Sequence, residues 1–173
     1  MSFLRYALVT VPAVVLLGTL SGALSGSGDD NAWFAALNKP AIMPPGWAFG
    51  AAWTILYILF GLSLAMVLHA KGARGRERAL TLYGLQLALN LAWSPLFFGM
   101  HKVSLALSLI AAMLVVTVAM ILFIWRFRPL AALLLFPYLG WLMFAAALNF
   151  QIMVLNPGAE TLAPDAVSTD IRL

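Results

Sequence analysis

The 173-residue chain has no cysteine, only two histidines, and few charges: ten basic and six acidic residues. Without cysteine it has no disulfide, thiolate metal site or cysteine nucleophile. His69 and His101 are the only imidazole ligands available for zinc or haem, so we expect no metal and no cofactor. Charged residues make up 9% of the chain, against about a quarter in soluble domains. A soluble globular domain is therefore excluded, and so is a disordered chain, which would be poor in apolar residues.

The net charge of +4 raises the question of a nucleic-acid partner. Phosphate binding requires a stripe or patch of basic residues. The ten basic residues here are scattered among long apolar runs. We therefore expect no nucleic-acid partner.

Five stretches of the chain carry no acidic or basic residue. They cover residues 6–28, 40–70, 79–101, 103–125 and 129–159. About 20 apolar residues, at 1.5 Å each, cross the ~30 Å hydrocarbon core of a bilayer. The sequence thus predicts an all-α integral membrane protein, a bundle of five transmembrane helices over 3–24, 46–70, 79–99, 103–126 and 130–155.

The first of these segments also has features of a cleavable signal peptide, since Arg5 precedes an apolar run that ends in small residues. Its apolar run exceeds the usual 7–15 residues and four more spans follow, so we expect a retained helix. Gly18, Gly22 and Gly26 recur at four-residue spacing, which predicts close approach of a neighbouring helix.

Basic residues near the predicted helices gather on one side of the membrane. The amino-terminal side carries seven and the other side two, Lys39 and Lys102. The seven are Arg5, Lys71, Arg74, Arg76, Arg78, Arg126 and Arg128. By the positive-inside rule, the N-terminus of a protein in a bacterial inner membrane would be cytoplasmic.

The apolar pattern stops after residue 155. Pro157, Gly158, Pro164 and three acidic residues follow. This composition predicts a helical membrane domain over 1–155 and a disordered polar tail over 156–173.

The predicted helices contain no ionisable residue at membrane depth, a pattern that disfavours ion-coupled transport. No set of residues typical of acid–base or nucleophilic catalysis is present either. Amides and aromatic rings remain. Gln86, Asn90, Trp93 and Phe97 fall within about 60° on one helical face. Two interpretations stay open: the amides only hydrogen-bond neighbouring helices, or they line a pocket, which Trp93 on the same face favours.

The opposite face of that helix carries Gly84, Ala88 and Ala92, a strip suited to helix association. Trp53 and Trp141 each lie about two turns into their helices, deeper than the interfacial belt in which tryptophan is common. A cavity lined by tryptophan and closed by amides would bind flat, largely apolar molecules. The long first loop, with Trp33 and Phe34, is expected to fold as a cover over the bundle.

Several interlocking motifs across residues 3–155 resemble those of the TspO/MBR family, the tryptophan-rich sensory and translocator proteins. The motifs are Trp33-Phe34, Leu37-Asn38-Lys39-Pro40, Pro44-Pro45-Gly46-Trp47, Trp53-Thr54-Ile55-Leu56-Tyr57, the run from Gln86 to Gly99 that contains Asn90 and Trp93-Ser94-Pro95, Pro137-Tyr138-Leu139-Gly140-Trp141, and Ala145 with Leu148-Asn149.

The resemblance implies a five-helix bundle, often a homodimer, with a ligand cavity under the first loop as a lid. It implies tetrapyrrole, sterol and synthetic aromatic ligands. By motif position, the residues expected to line the cavity are Trp33, Trp53, Asn90, Trp93, Trp141, Ala145 and Leu148. Trp53 and Asn90 are expected as polar contacts. If the chain degrades protoporphyrin in light, as some members do, Trp53 and Trp141 would be the catalytic residues.

Two departures from the family pattern limit the resemblance. The fifth helix ends without the Tyr and basic residue of the sterol-recognition pattern, so sterol binding through it is not expected. Ala41, Ile42 and Met43 stand where an aromatic commonly follows Lys-Pro. The sequence therefore favours a tetrapyrrole receptor with a regulatory or stress-related role, with light-dependent porphyrin degradation or passive transport as alternatives.

Overall fold

The computed structural model describes residues 2–162, and these residues form an all-helical bundle. The helices are α1 (Phe3–Leu24), α2 (Ala32–Ala36), α3 (Gly46–His69), α4 (Arg76–Ser94), α5 (Val103–Trp125), α6 (Pro129–Leu133) and α7 (Phe136–Leu155). A π-helical turn, Pro95–Gly99, continues α4, and a short 3-10 turn follows α7 at Ala159–Thr161.

Four segments in the described part of the chain are long and apolar enough to cross a membrane: α1, α3, α5, and α6 with α7. Helix α4 begins with Arg76, Glu77 and Arg78 and is less apolar, yet it packs against α1, α3 and α5. Its amides, Gln86 and Asn90, are buried inside the bundle. Helix α4 completes the five-helix transmembrane bundle that the sequence predicts.

The fifth predicted span is not continuous. Helices α6 and α7 are separated at Leu134 and Leu135. Pro137 has no N–H to donate to the carbonyl of Leu133, and its ring would clash with that carbonyl in a continuous helix. The prediction of one helix over 130–155 is therefore corrected to a short helix and a longer one.

Helices α1 and α3 approach closely at two glycines. A Cβ at Gly61 would lie 2.7 Å from the Cα of Val11, and one at Gly18 would overlap the ring of Tyr57. Thr10 adds a hydrogen bond across the interface, from Oγ1 to the carbonyl of Gly61 at 2.7 Å. Gly26, in contrast, lies beyond the end of α1 with a φ of 62°, so it does not belong to the predicted glycine face.

The half of the bundle remote from the first loop is closed by a buried polar contact. Ser63 on α3 pairs with the hydroxyl of Tyr83 on α4 at 2.5 Å and donates to the carbonyl of Ala131 on α6 at 2.6 Å. Apolar side chains, including Phe60 and Leu135, pack around it. This half of the bundle is therefore tightly packed around its polar contact.

The predicted tail begins later than residue 156. Residues 156–162 fold back on the bundle, with Asn156 and Ala159 buried. The reason is tertiary: both residues hydrogen-bond to the first loop. The rest of the predicted tail, 163–173, lies outside the described residues.

Candidate ligand site

Aromatic rings from α3, α4 and α7 meet in one cluster in the half of the bundle nearer the first loop. The ring of Trp53 stacks on Tyr57 at a centroid distance of 5.3 Å and meets Trp141 edge to face at 6.2 Å. Trp93 and Ala145 pack against the same cluster. Four of the seven expected lining residues, Trp53, Trp93, Trp141 and Ala145, are thus brought together.

Two amides and two tyrosines form a hydrogen-bond network beside this cluster. The hydroxyl of Tyr57 donates to Oδ1 of Asn90 at 2.9 Å, and Nδ2 of Asn90 donates to the hydroxyl of Tyr138 at 3.0 Å. Nε2 of Gln86 donates to the same hydroxyl at 2.9 Å. Asn90, an expected ligand contact, therefore ties α4 to α3 and α7 in this structure.

Three polar atoms near the cluster are buried without a hydrogen-bond partner among residues 2–162. They are Nε1 of Trp93, Nε1 of Trp141 and Oε1 of Gln86. An unpaired polar group in a bilayer costs several kcal/mol, because no water is there to pair with it. Such groups call for a partner that the protein itself does not provide. Here they offer two donors and one acceptor to a bound molecule.

The rings and amides leave little space between them. The space beside Tyr57, Asn90 and Tyr138 is too small to hold even a water molecule, whereas ligand sites for drug-sized molecules measure ~300–1,000 Å³. The structure therefore has a closed site where the sequence suggested an open cavity. The aromatic side chains themselves fill the region.

Trp33 and Leu148 stand apart from this cluster. Trp33, 1% exposed, is anchored in the first loop, stacked on His101 at 4.4 Å with Phe97 at 5.4 Å. Leu148 is buried on α7, about one turn beyond Ala145. Trp33 is connected to the cluster indirectly, since Phe97 also stacks on Trp93 at 5.0 Å.

The first loop forms the lid that the sequence predicts. Its short helix α2 is capped by Asn31, whose side chain accepts from the N–H of Phe34. Nζ of Lys39 donates to the carbonyl of Phe34 at 3.0 Å and lies 4.6 Å from its ring centroid. Met43, at one of the positions that departs from the family pattern, packs against the apolar cluster under the lid.

Residues after α7 hold the lid down, and we call these contacts the latch. The side chain of Asn156 pairs with the backbone of Asn38 in both directions, at 2.8 and 2.9 Å. Nε1 of Trp33 donates to the carbonyl of Ala159 at 2.8 Å. Sequence reasoning missed the roles of Asn156 and Ala159 because it placed both in a disordered tail.

Glu160 extends the latch to α5. Its carboxylate accepts from the backbone N–H of Ser104 at 2.8 Å and from the Ser104 hydroxyl at 2.6 Å, at the N-terminus of α5. These hydrogen bonds, with a smaller contribution from Lys102, hold the pKa of Glu160 below its usual value. The carboxylate is thus stabilised in its charged form.

Glu160→Gln is expected to remove one pH-dependent part of the stability. The lowered pKa of Glu160 makes its contribution complete above the pKa of an unperturbed glutamate, ~4.3. It is lost as the pH falls through the folded-state pKa. Thermal unfolding across this range should therefore show wild type more stable than Glu160→Gln at neutral pH, with the difference shrinking in acid. A stability difference between the two proteins that stays constant with pH would contradict this role of the Glu160 carboxylate at the N-terminus of α5.

Comparison with known proteins decides the family. The TspO/MBR family model matches residues 9–155, which span all five membrane segments. The chain belongs to the TspO/MBR family. It is 38% identical over 147 residues to the tryptophan-rich protein TspO of Archaeoglobus fulgidus, covering 85% of this chain and 94% of that one. It is 39% identical over 155 residues to the translocator protein of Sus scrofa, covering 86% and 92%.

The TspO/MBR membership confirms the resemblance found in the sequence and identifies an integral multi-pass membrane protein. A further relative, the tryptophan-rich sensory protein of Cereibacter sphaeroides, is 39% identical over 124 residues, with coverage of 72% and 77%. Within this TspO/MBR chain, the aromatic cluster and the lid lie in the matched range, whereas Asn156, Ala159 and Glu160 of the latch follow it directly.

Proposed function

We propose that this protein is a membrane receptor for tetrapyrroles of the protoporphyrin type and similar flat apolar molecules. The site is the aromatic cluster of Trp53, Trp93 and Trp141. The observation that carries the proposal is the pair of buried, unpaired indole N–H groups in a cluster of large rings at membrane depth.

The chemistry of the cluster matches this class of ligand. Indole faces stack on extended π systems, and the N–H of Trp93 and Trp141 would donate to a carboxylate, carbonyl or ring nitrogen of the ligand. Simple ions and phosphates would leave the rings without partners.

The closed site determines how such a ligand is bound. A tetrapyrrole is far larger than the space beside Asn90, which is too small even for a water molecule, so rings of the cluster must move apart to admit it. The population of the open form reduces the apparent affinity in proportion. Binding would then alter Trp93, Phe97 and Trp33 in turn, which links the site to the lid and supports a regulatory role.

The proposal includes a homodimer. Gly84 and Ala88 lie exposed on the outer face of α4, and a Cβ at Gly84 would meet no atom of the described residues within 4 Å. Small exposed residues at this spacing allow two helices to approach closely in a membrane.

A titration of protoporphyrin IX into the protein in nanodiscs, followed by the ligand's own absorbance, tests the receptor proposal. Loss of an indole ring and its N–H should cost about 1 kcal/mol, so we expect Trp53→Phe and Trp141→Phe each to raise Kd roughly five- to tenfold. Trp125→Phe, at the remote end of α5, is the matched control and should bind as wild type does. Equal affinity in all four proteins would overturn the proposed site.

The contact between Trp53 and Trp141 favours a second candidate function, light-dependent breakdown of bound porphyrin. Illumination of the same samples distinguishes it. Porphyrin absorbance that decays at one rate in wild type and in the Trp53→Phe/Trp141→Phe double variant at equal occupancy would exclude this activity.

A further inference from the structure

An apolar groove lies between α3 and α7, on the side of the bundle that faces lipid. It has a volume of about 370 Å³. The side chains that form its walls include Ile55 and Leu56 from α3 and Pro137, Trp141 and Phe144 from α7, with Gly140 between them. A Cβ at Gly140 would meet no atom of the described residues within 4 Å. The groove exists because α3 and α7 contact each other far less than α3 and α1 do.

The groove opens at membrane depth. Ile55 follows the start of α3 at Gly46 by nine residues, which places it about 14 Å along the helix at 1.5 Å per residue. Its side chain is 58% exposed in the monomer. The mouth of the groove therefore meets the hydrocarbon chains of the bilayer and not water.

Trp141 belongs both to the wall of the groove and to the aromatic cluster. The same ring contacts Trp53 at 6.2 Å and Phe49 at 5.8 Å, both edge to face. Rotation of Trp141 would thus join the groove to the site.

The route from the aqueous side is shut by the latch. Opening the lid breaks the two hydrogen bonds between Asn38 and Asn156 and the one from Trp33 to Ala159. It also exposes Trp33, which is almost completely buried. No comparable set of hydrogen bonds crosses the groove among the described residues, where α3 and α7 present apolar side chains to each other.

We propose that flat apolar ligands reach the aromatic cluster from the bilayer, through the groove between α3 and α7, with Trp141 as the gate and the lid latched throughout. This inference rests on the proposed receptor function and adds its access route. Tetrapyrroles suit such a route because apolar molecules partition into the hydrocarbon region before they meet the protein.

The test is a stopped-flow measurement of protoporphyrin IX binding to the protein in nanodiscs. Gly140→Leu narrows the groove, so we expect both the association and the dissociation rate constants to fall roughly tenfold, with Kd nearly unchanged. Ile55→Trp obstructs the same groove from an exposed position on α3 and should lower both rate constants in the same way. It serves as the second variant if Gly140→Leu folds poorly. Gly50→Leu adds the same side chain at an open position of α3 outside the groove and should leave the rates as in wild type.

A variant of the latch tests the alternative route, under the lid. Asn156→Ala loosens the lid and should leave both rate constants unchanged. The proposal is overturned if Asn156→Ala accelerates binding while the groove variants do not slow it, since access would then lie under the lid. It is also overturned if the groove variants raise Kd at an unchanged association rate, which would make the groove only a wall of the site. If Trp53→Phe and Trp141→Phe bind as wild type does, the receptor site itself fails, and the route fails with it.

Discussion

Trp33→Ala is expected to produce the largest loss of stability of any single substitution in the lid. The indole is 1% exposed, stacks on His101 and donates to Ala159. Truncating a buried tryptophan costs about 3–5 kcal/mol, which for a chain of this length lowers the unfolding midpoint by about 10 °C. Hydrogen exchange across residues 31–40 should rise together with this loss, because the lid would no longer be held to the bundle.

Trp47→Ala is the control for this substitution. Trp47 lies only a few residues past the lid, at the start of α3, but is 76% exposed. Its removal should leave the midpoint and the exchange of residues 31–40 close to wild type. A similar effect of both substitutions, or fast exchange of the lid in wild type, would contradict the anchoring role of Trp33.

Gly61→Leu is expected to force α1 and α3 apart. The added Cβ would lie 2.7 Å from the Cα of Val11, which is backbone and cannot rotate away. The hydrogen bond from Thr10 to the Gly61 carbonyl would be stretched as well. Overpacking of this kind costs ~1–3 kcal/mol or more. We expect a loss of about 3 kcal/mol in the free energy of unfolding, measured by detergent-induced unfolding of the purified protein.

Gly50→Leu on the same helix provides a direct comparison. Gly50 is exposed, and a Cβ there would meet no atom of the described residues within 4 Å. Since leucine is also the better helix former, this variant should be at least as stable as wild type. Equal destabilisation by the two substitutions would show that the α1–α3 contact at Gly61 is not tight.

The five membrane segments were predictable because a bilayer penalises charge wherever it occurs. The predicted spans 3–24 and 103–126 match α1 at both of its observed ends, Phe3–Leu24, and α5 within one residue of Trp125. The same rule misses the first turn of α4. The predicted span begins at residue 79, but the helix begins at Arg76 and includes the charged side chains of Arg76 and Arg78. The rule also overlooks the break before α7, which a proline imposes within an apolar run.

The candidate site was predictable where one helical face carries the residues. Gln86, Asn90, Trp93 and Phe97 all turn inward from α4 and its π-helical continuation, as the helical periodicity indicates. The periodicity does not reveal what they meet, because hydrogen-bond partners come from other helices. Both interpretations of the amides have support. Asn90 hydrogen-bonds neighbouring helices through Tyr57 and Tyr138, while the amide oxygen of Gln86 has no partner among residues 2–162.

The latch was beyond local sequence reasoning. Pro157 and Gly158 are typical of a flexible segment, and residues 156–162 are ordered by contacts with residues far away in the sequence, such as Ala159 with Trp33 and Glu160 with Ser104. The closed state of the site was equally hidden, since a list of lining residues does not tell whether their rings surround a cavity or fill it.

We propose that Trp53, Trp93 and Trp141 form the binding site, and the N–H groups of Trp93 and Trp141 have no hydrogen-bond partner among residues 2–162. The most direct measurement is the NMR spectrum of the six tryptophan indole N–H groups of nitrogen-labelled protein, recorded with and without protoporphyrin IX. We expect the Trp93 and Trp141 N–H signals to move as they gain hydrogen bonds and the Trp53 signal to shift through ring currents, while the Trp47 and Trp125 signals stay in place. Shifts confined to Trp47 or Trp125, with the three cluster signals unmoved at saturating ligand, would contradict the proposed site.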